Sequence, residues 1–91
     1  MAWKIEFDAG ALKSLRRLGR QEQVRIERYL AERVAVSASP RDLGKPLVGS
    51  KFGELWRYRV GDYRLICKID DGVLLVLVLE IGHRSTVYRQ L

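Results

Sequence analysis

Three kinds of side chain are nearly absent from this 91-residue chain: it has one cysteine, one histidine and two prolines. A lone thiol, Cys67, excludes an internal disulfide, as expected of a soluble protein of the reducing cytoplasm. With little proline and no Pro/Gly/Ser-rich stretch, nothing divides the chain, and residues 1–91 read as one domain. A chain of this length buries only about 60–65% of the surface its unfolded form exposes, so its stability margin is small. Long apolar runs are missing too. The longest, Val73 to Leu79, has seven residues, against the roughly 20 that span a bilayer. The N-terminus from Met1 to Glu6 carries acid early and lacks a signal-peptide core. Carboxylates are scarce: 11 Asp and Glu stand against 17 Lys and Arg, a net charge of +6. That balance predicts attraction to nucleic acid, an acidic protein or an anionic membrane, the membrane being the weakest of the three.

What the chain does have is a patterned stretch from Leu55 to Ile66, LWRYRVGDYRLI. It reads as two strands joined by Gly61-Asp62, which suits a type II′ hairpin with glycine at the first central position. Alternation then sorts the side chains by face. Trp56, Tyr58, Val60, Tyr63, Leu65, Cys67 and Ile69 share the face turned to the core. Arg57, Arg59, Arg64 and Lys68 share the other, with Arg59 opposite Arg64. Like charges directly opposite destabilise a ladder by roughly 0.2–1 kcal/mol. Each arginine could be solvated or paired with Glu54, Asp62 or Glu80, but their convergence on one small face favours an anionic partner such as phosphate. On its apolar face Cys67 reads as a small buried hydrophobe rather than a nucleophile.

The remaining elements follow from periodicity. Trp3 to Phe7 alternates as a half-buried strand. Asp8 is an N-cap for a helix to Leu18, which Gly19 ends in a left-handed conformation. A second helix runs from Arg20 to Ala38, with Ile26, Leu30, Arg33 and Val34 on its inner stripe, and Ser39-Pro40 stops it. Residues 41–53 read as a loop holding Lys45 and Lys51. Asp71-Gly72 predicts a type I′ turn that sets Leu75 opposite Lys68, Leu77 opposite Ile66 and Leu79 opposite Arg64. In that register Leu75, Leu77, Leu79 and Ile81 lie on the arginine face and need cover from the tail, residues 85–91, or from a partner chain. If parity holds past Gly82, His83 joins the arginines, with Arg84 and Tyr88 close behind. His83 then reads either as a surface histidine or as an acid/base group. The fold class is α+β: an N-terminal strand, a helical hairpin and a three-stranded antiparallel meander, the helices on one face of a four-stranded sheet.

The motif from Leu55 to Arg64 and the ending Ile81-Gly82-His83-Arg84-Ser85-Thr86-Val87-Tyr88 resemble the RelE branch of the RelE/ParE superfamily of bacterial toxins, over nearly the whole chain. The resemblance implies a toxin of a type II toxin–antitoxin pair that enters the ribosomal A site. There it cuts mRNA by attack of a ribose 2′-hydroxyl, with neither metal nor other cofactor. It further implies an acidic, RelB-like antitoxin bound in a hetero-oligomeric complex. By similarity Arg57, Arg59, Arg64, His83, Arg84 and Tyr88 form the catalytic set, and Lys45, Lys51 and Lys68 grip RNA. The positions of Arg57 and Arg59 are lysines in the best-known members. Arginine does not give up its proton, which leaves His83, and then Tyr88, as candidates for proton transfer. The rival reading is the ParE branch, which inhibits DNA gyrase without cutting RNA. A third is a toxin that has lost activity and persists as a binding module. Function resides in the site, not in the shared fold.

Overall fold

The computed structural model describes residues 2–47 and 55–83. Strand β1 (Lys4–Phe7) turns alternate residues inward, as its pattern requires. It ends at Asp8, whose Oδ1 accepts the Ala11 N–H at 2.8 Å and caps α1 (Ala9–Arg17). A side-chain acceptor at this position satisfies one of the helix's orphan donors. Gly19 does not end α1 in a left-handed conformation. Its φ of −62° makes it the N-cap of α2 (Arg20–Tyr29). The end of α1 is closed from the next helix instead: the Gln23 side-chain amide donates to the Leu18 carbonyl at 2.8 Å.

Helix α2 passes into a π-helical turn over Leu30–Val34, where the Ala35 N–H reaches the Leu30 carbonyl at 2.8 Å. Ile26, Leu30 and Val34 are buried at four-residue spacing, whereas Arg33, expected on the same stripe, is exposed. The wider turn rotates Arg33 out of the stripe, and its charge stays hydrated. The helical segment therefore ends before Ala38. Pro40 then opens a 3-10 turn (Pro40–Asp42) and is itself buried.

The described strands form one sheet in the order β1-β5-β4-β3-β2, one strand more than expected. The addition is β2 (Lys45–Pro46), which pairs antiparallel with β3 (Trp56–Val60) inside the stretch read as loop. Gly44 makes this possible. At φ +71° it lies so close to β3 that a Cβ there would stand 2.3 Å from the Arg57 carbonyl oxygen. Strands β3 and β4 (Tyr63–Asp70) have the expected register, Arg59 opposite Arg64 and Tyr58 opposite Leu65. Gly61 is left-handed at φ +61° and Asp62 is not, the signature of a type II′ turn.

The β4–β5 connection differs from expectation. Its turn has four residues, Asp71–Leu74, closed by Leu74 at φ 51° and an Asp70 carboxylate that accepts the Gly72 N–H at 3.0 Å. Strand β5 (Leu75–His83) is therefore offset: Leu75 pairs with Asp70 and Leu77 with Lys68. A bulge follows. Cys67 pairs with Val78 but Ile66 with Glu80, leaving Leu79 without a ladder partner. One extra residue reverses the facing of all that follows it. Ile81 thereby joins the core at 5% exposure, and β1 adds in parallel to the far edge of β5.

Both helices cover one face, α1 on β5 and α2 on β3. Between them and the sheet lie Trp3, Leu15, Ile26, Leu30, Tyr58, Leu65, Val76 and Val78. Tyr58 is fully buried, donates to the Pro40 carbonyl at 2.7 Å and meets Tyr29 edge-on at 6.1 Å. Trp56 is on this side as expected, but only half-buried, with its Nε1–H on the Leu43 carbonyl at 2.6 Å. Among the described residues no helix is long and apolar enough to cross a membrane.

Candidate nucleic-acid interface

The face opposite the helices carries the cations, row by row across the sheet. Arg59 stands opposite Arg64. In the next row Lys45, Arg57, Ile66 and Glu80 follow one another from β2 to β5. Lys68 lies one row further on, opposite Leu77, which has Glu6 of β1 on its other side. Cross-strand neighbours have Cβ atoms roughly 5 Å apart, so Lys45, Arg57, Arg59 and Arg64 form one patch. Lys45 was placed in a loop by its sequence, and β2 carries it to the side of Arg57.

The patch is not uniformly solvated. Arg59, Lys45 and Lys68 are exposed, whereas Arg57 and Arg64 are half-buried and the Arg64 Nε is enclosed by protein. Arg64 therefore has a packing role that its outward strand position did not suggest. Beside the cations Leu47, Leu55, Ile66 and Leu79 form a small apolar cluster, tied by a Leu47 N–H to Leu55 carbonyl bond of 2.9 Å. This cluster supplies part of the cover that β5 was expected to need. The tail proposed for the rest, with Arg84 and Tyr88, lies outside the described residues, as does Lys51.

His83 does not join the arginine face. The bulge at Leu79 reverses parity, and His83 pairs with Tyr63, their rings edge-on at 5.9 Å. It remains exposed at the end of β5, one residue beyond the Gly82 that opposes Arg64. The same reversal brings Glu80 onto the cationic face, where the expected register placed no carboxylate. Burial and the nearby Asp8 carboxylate push the Glu80 carboxyl above its ordinary range. No sequence signal marks Glu80, because its facing depends on a bulge that neither glycine nor proline announces. Cys67 is fully buried and burial pushes its thiol up, which leaves it inert as a nucleophile.

A mixed sheet backed on one face by a helical hairpin agrees with the architecture of known proteins. A sequence-family model described as the ParE toxin of type II toxin–antitoxin systems matches residues 5–88. The mRNA interferase toxin RelE of Escherichia coli is 33% identical over 99% of this chain and 94% of its own length. The chain belongs to the RelE/ParE toxin superfamily. Solved structures carry the same architecture. The toxin–antitoxin complex RelBE2 of Mycobacterium tuberculosis contains a chain with TM-score 0.81 at 25% identity, covering 93% of this chain and 94% of that one. The intact E. coli RelBE complex gives TM-score 0.67 at 27% identity, covering 90% and 96%.

Proposed function

We propose that this protein is the toxin of a toxin–antitoxin pair and cuts mRNA on the ribosome, in the cytoplasm. Lys45, Arg57, Arg59 and Arg64 converging on one sheet face is the observation that carries the reading, and the full-length RelE relative supports it. In such a cleavage the 2′-hydroxyl loses its proton and its oxygen bonds to the adjacent phosphorus. The bond from phosphorus to the 5′-oxygen breaks, that oxygen takes up a proton, and a 2′,3′-cyclic phosphate remains. Two needs follow: stabilisation of phosphorane charge, and groups that exchange protons.

The arginines meet the first need and cannot meet the second, since guanidinium stays charged. Arg57, Arg59 and Arg64 therefore hold the phosphate, joined by Arg84, while Lys45, Lys51 and Lys68 extend the grip along the strand. No metal or other cofactor enters the scheme. We assign proton transfer to His83, exposed at the end of β5 one residue beyond the Gly82 opposite Arg64, with Tyr88 as the second candidate. Replacing His83 with alanine should slow cleavage by about 10²–10⁴-fold with ribosome binding nearly unchanged. An unchanged rate across pH 5–9 would remove the histidine from the mechanism, and loss of cleavage in Glu80→Gln instead would move the role to that carboxylate. Neutralisation falls to an acidic antitoxin, which a +6 toxin attracts electrostatically.

Primer extension on mRNA after induction, with and without active translation, tests the whole reading. New 5′ ends only under translation are expected. The matched family model names ParE, so gyrase supercoiling belongs in the same experiment: inhibited supercoiling with intact mRNA would replace this reading with the ParE one.

A further inference from the structure

Around the edge of β3 from the cationic face, between that strand and α2, lies a groove of about 830 Å³. That size falls within the roughly 300–1,000 Å³ of small-molecule sites. Arg25 lies across the hairpin turn, where a Cβ on Gly61 would stand 2.8 Å from its Nη1, and Tyr29 meets Tyr58 edge-on at 6.1 Å. Helix and strand therefore run antiparallel along the groove, with Arg20 at the turn end and Arg33 at the other. These two are about 20 Å apart along the helix axis, at roughly 1.5 Å per residue. The floor between them is Val24, Tyr29 and Val60, with Val24 37% exposed. Arg20, Arg25, Arg33 and Arg59 stand round this floor. Of the groove's arginines, Arg28 alone has a carboxylate partner among the described residues, Glu32 at 3.1 Å. Like charges on neighbouring turns of a helix destabilise it, and the π-helical turn adds to the repulsion by carrying Arg33 to the rim. The fold gains nothing from this collection, and an anionic ligand relieves it.

We propose that the groove binds a nucleoside 5′-polyphosphate, its base on the floor of Val24, Tyr29 and Val60 and its phosphates between Arg20 and Arg25, with Arg59 closing from the strand side. Two features select this class of ligand. The floor is about one base in extent, and an aromatic ring beside aliphatic side chains suits a flat heterocycle. The charge around it exceeds what one base of RNA would bring. A strand carries one phosphate per base, whereas four arginines without carboxylate partners surround this single platform. A nucleotide with two or three phosphates supplies ring and charge in one small molecule, and guanidinium groups pair with phosphate oxygens two bonds at a time. Arg33, at the far end, is placed to donate to acceptors on the edge of the base. The site goes beyond the cleavage reading: it fills whether or not the chain cuts RNA.

The probe is ATP carrying an N-methylanthraniloyl label on the ribose, its binding to the full chain followed by fluorescence anisotropy. A Kd below about 1 mM is expected. Unlabelled ATP should displace the probe, while adenosine and inorganic triphosphate, each half of the ligand, should need concentrations about tenfold higher or more. Val24→Asp puts a carboxylate into the floor, and Arg20→Gln removes a charge at an exposed position of the first helical turn. Each should weaken ATP binding by about tenfold or more while leaving affinity for a uridine octamer unchanged. Lys45→Ala, on the cationic face, should do the reverse. No binding up to about 1 mM would overturn the proposal, as would inorganic triphosphate binding as tightly as ATP. Loss of ATP binding in Lys45→Ala but in neither groove variant would move the nucleotide to the cationic face and overturn it too. So would an octamer weakened by Val24→Asp, since the groove would then be an RNA site.

Discussion

Arg59 offers a direct measure of how many phosphates the sheet face holds. Four cations share the patch, namely Lys45, Arg57, Arg59 and Arg64, and Arg59 is exposed, so its replacement by alanine leaves the core untouched. Each phosphate contact to a single strand contributes about 0.7 to the log–log slope of affinity against salt. Taken alone, these four predict a slope of about −2.8, or roughly 50-fold weaker binding on going from about 50 to 200 mM salt, and contacts through Lys51, Lys68 and Arg84 would steepen parent and variant alike. With Arg59→Ala three remain, the slope is about −2.1, and the same step weakens binding roughly 20-fold. Anisotropy titrations of a short labelled RNA at several salt concentrations give both slopes. Arg16→Ala, an exposed cation on α1 on the opposite side of the sheet, serves as the control and should leave the slope as it was. A parental slope in Arg59→Ala, with a reduced one in Arg16→Ala, would refute the assignment of RNA to the sheet face.

Tyr58→Phe leaves the Pro40 carbonyl without its 2.7 Å donor and should destabilise by about 1–3 kcal/mol in urea unfolding. Burial raises the Tyr58 phenol above its ordinary 10.0, so its stabilising contribution is whole below pH 10 and lost as pH rises further. The gap between parent and Tyr58→Phe should therefore narrow in alkali. Gly44→Ala puts a methyl 2.3 Å from a backbone oxygen at a left-handed φ, and should cost at least about 1–2 kcal/mol by thermal denaturation. Glu80 behaves in the opposite sense from a salt-bridged acid. Its folded carboxyl holds the proton more tightly than the unfolded one, so ionisation opposes folding and stability is lost as pH rises through the folded value. Glu80→Gln should melt higher than the parent at pH 7 and level with it below about pH 4, which melting curves at the two pH values will show.

How far the sequence carried depends on what kind of signal each element needs. The β3–β4 hairpin was legible in full, because alternation and Gly61-Asp62 are local and both specify one register. The Asp8 cap and the buried Ile26, Leu30 and Val34 were local for the same reason. Strand β5 was not. Its four-residue turn depends on Leu74 adopting φ 51°, and its bulge depends on Leu79 finding Leu47, Leu55 and Ile66. These are tertiary choices that a run of seven aliphatics cannot encode, since such a run fits either face equally well. The common facing of Arg57, Arg59 and Arg64 was therefore readable, while the facings of His83 and Glu80 were reversed. Lys45 was identified as a cation, but its place beside Arg57 needed Gly44 to steer a two-residue strand.

The extra residue at Leu79 makes the end of β5 tolerant of shortening at that one point. Val78 faces the core and Glu80, its next neighbour on the ladder, faces the cations, so deleting Leu79 would leave alternation unbroken and every later facing as it is. Glu80 would stay opposite Ile66, Ile81 in the core and His83 beside Tyr63, while the apolar cluster of Leu47, Leu55 and Ile66 would lose a member. A length change at residue 79 is thus an apolar truncation, whereas the loss of one residue at a regularly paired position of β5 would exchange the two faces of the strand beyond it.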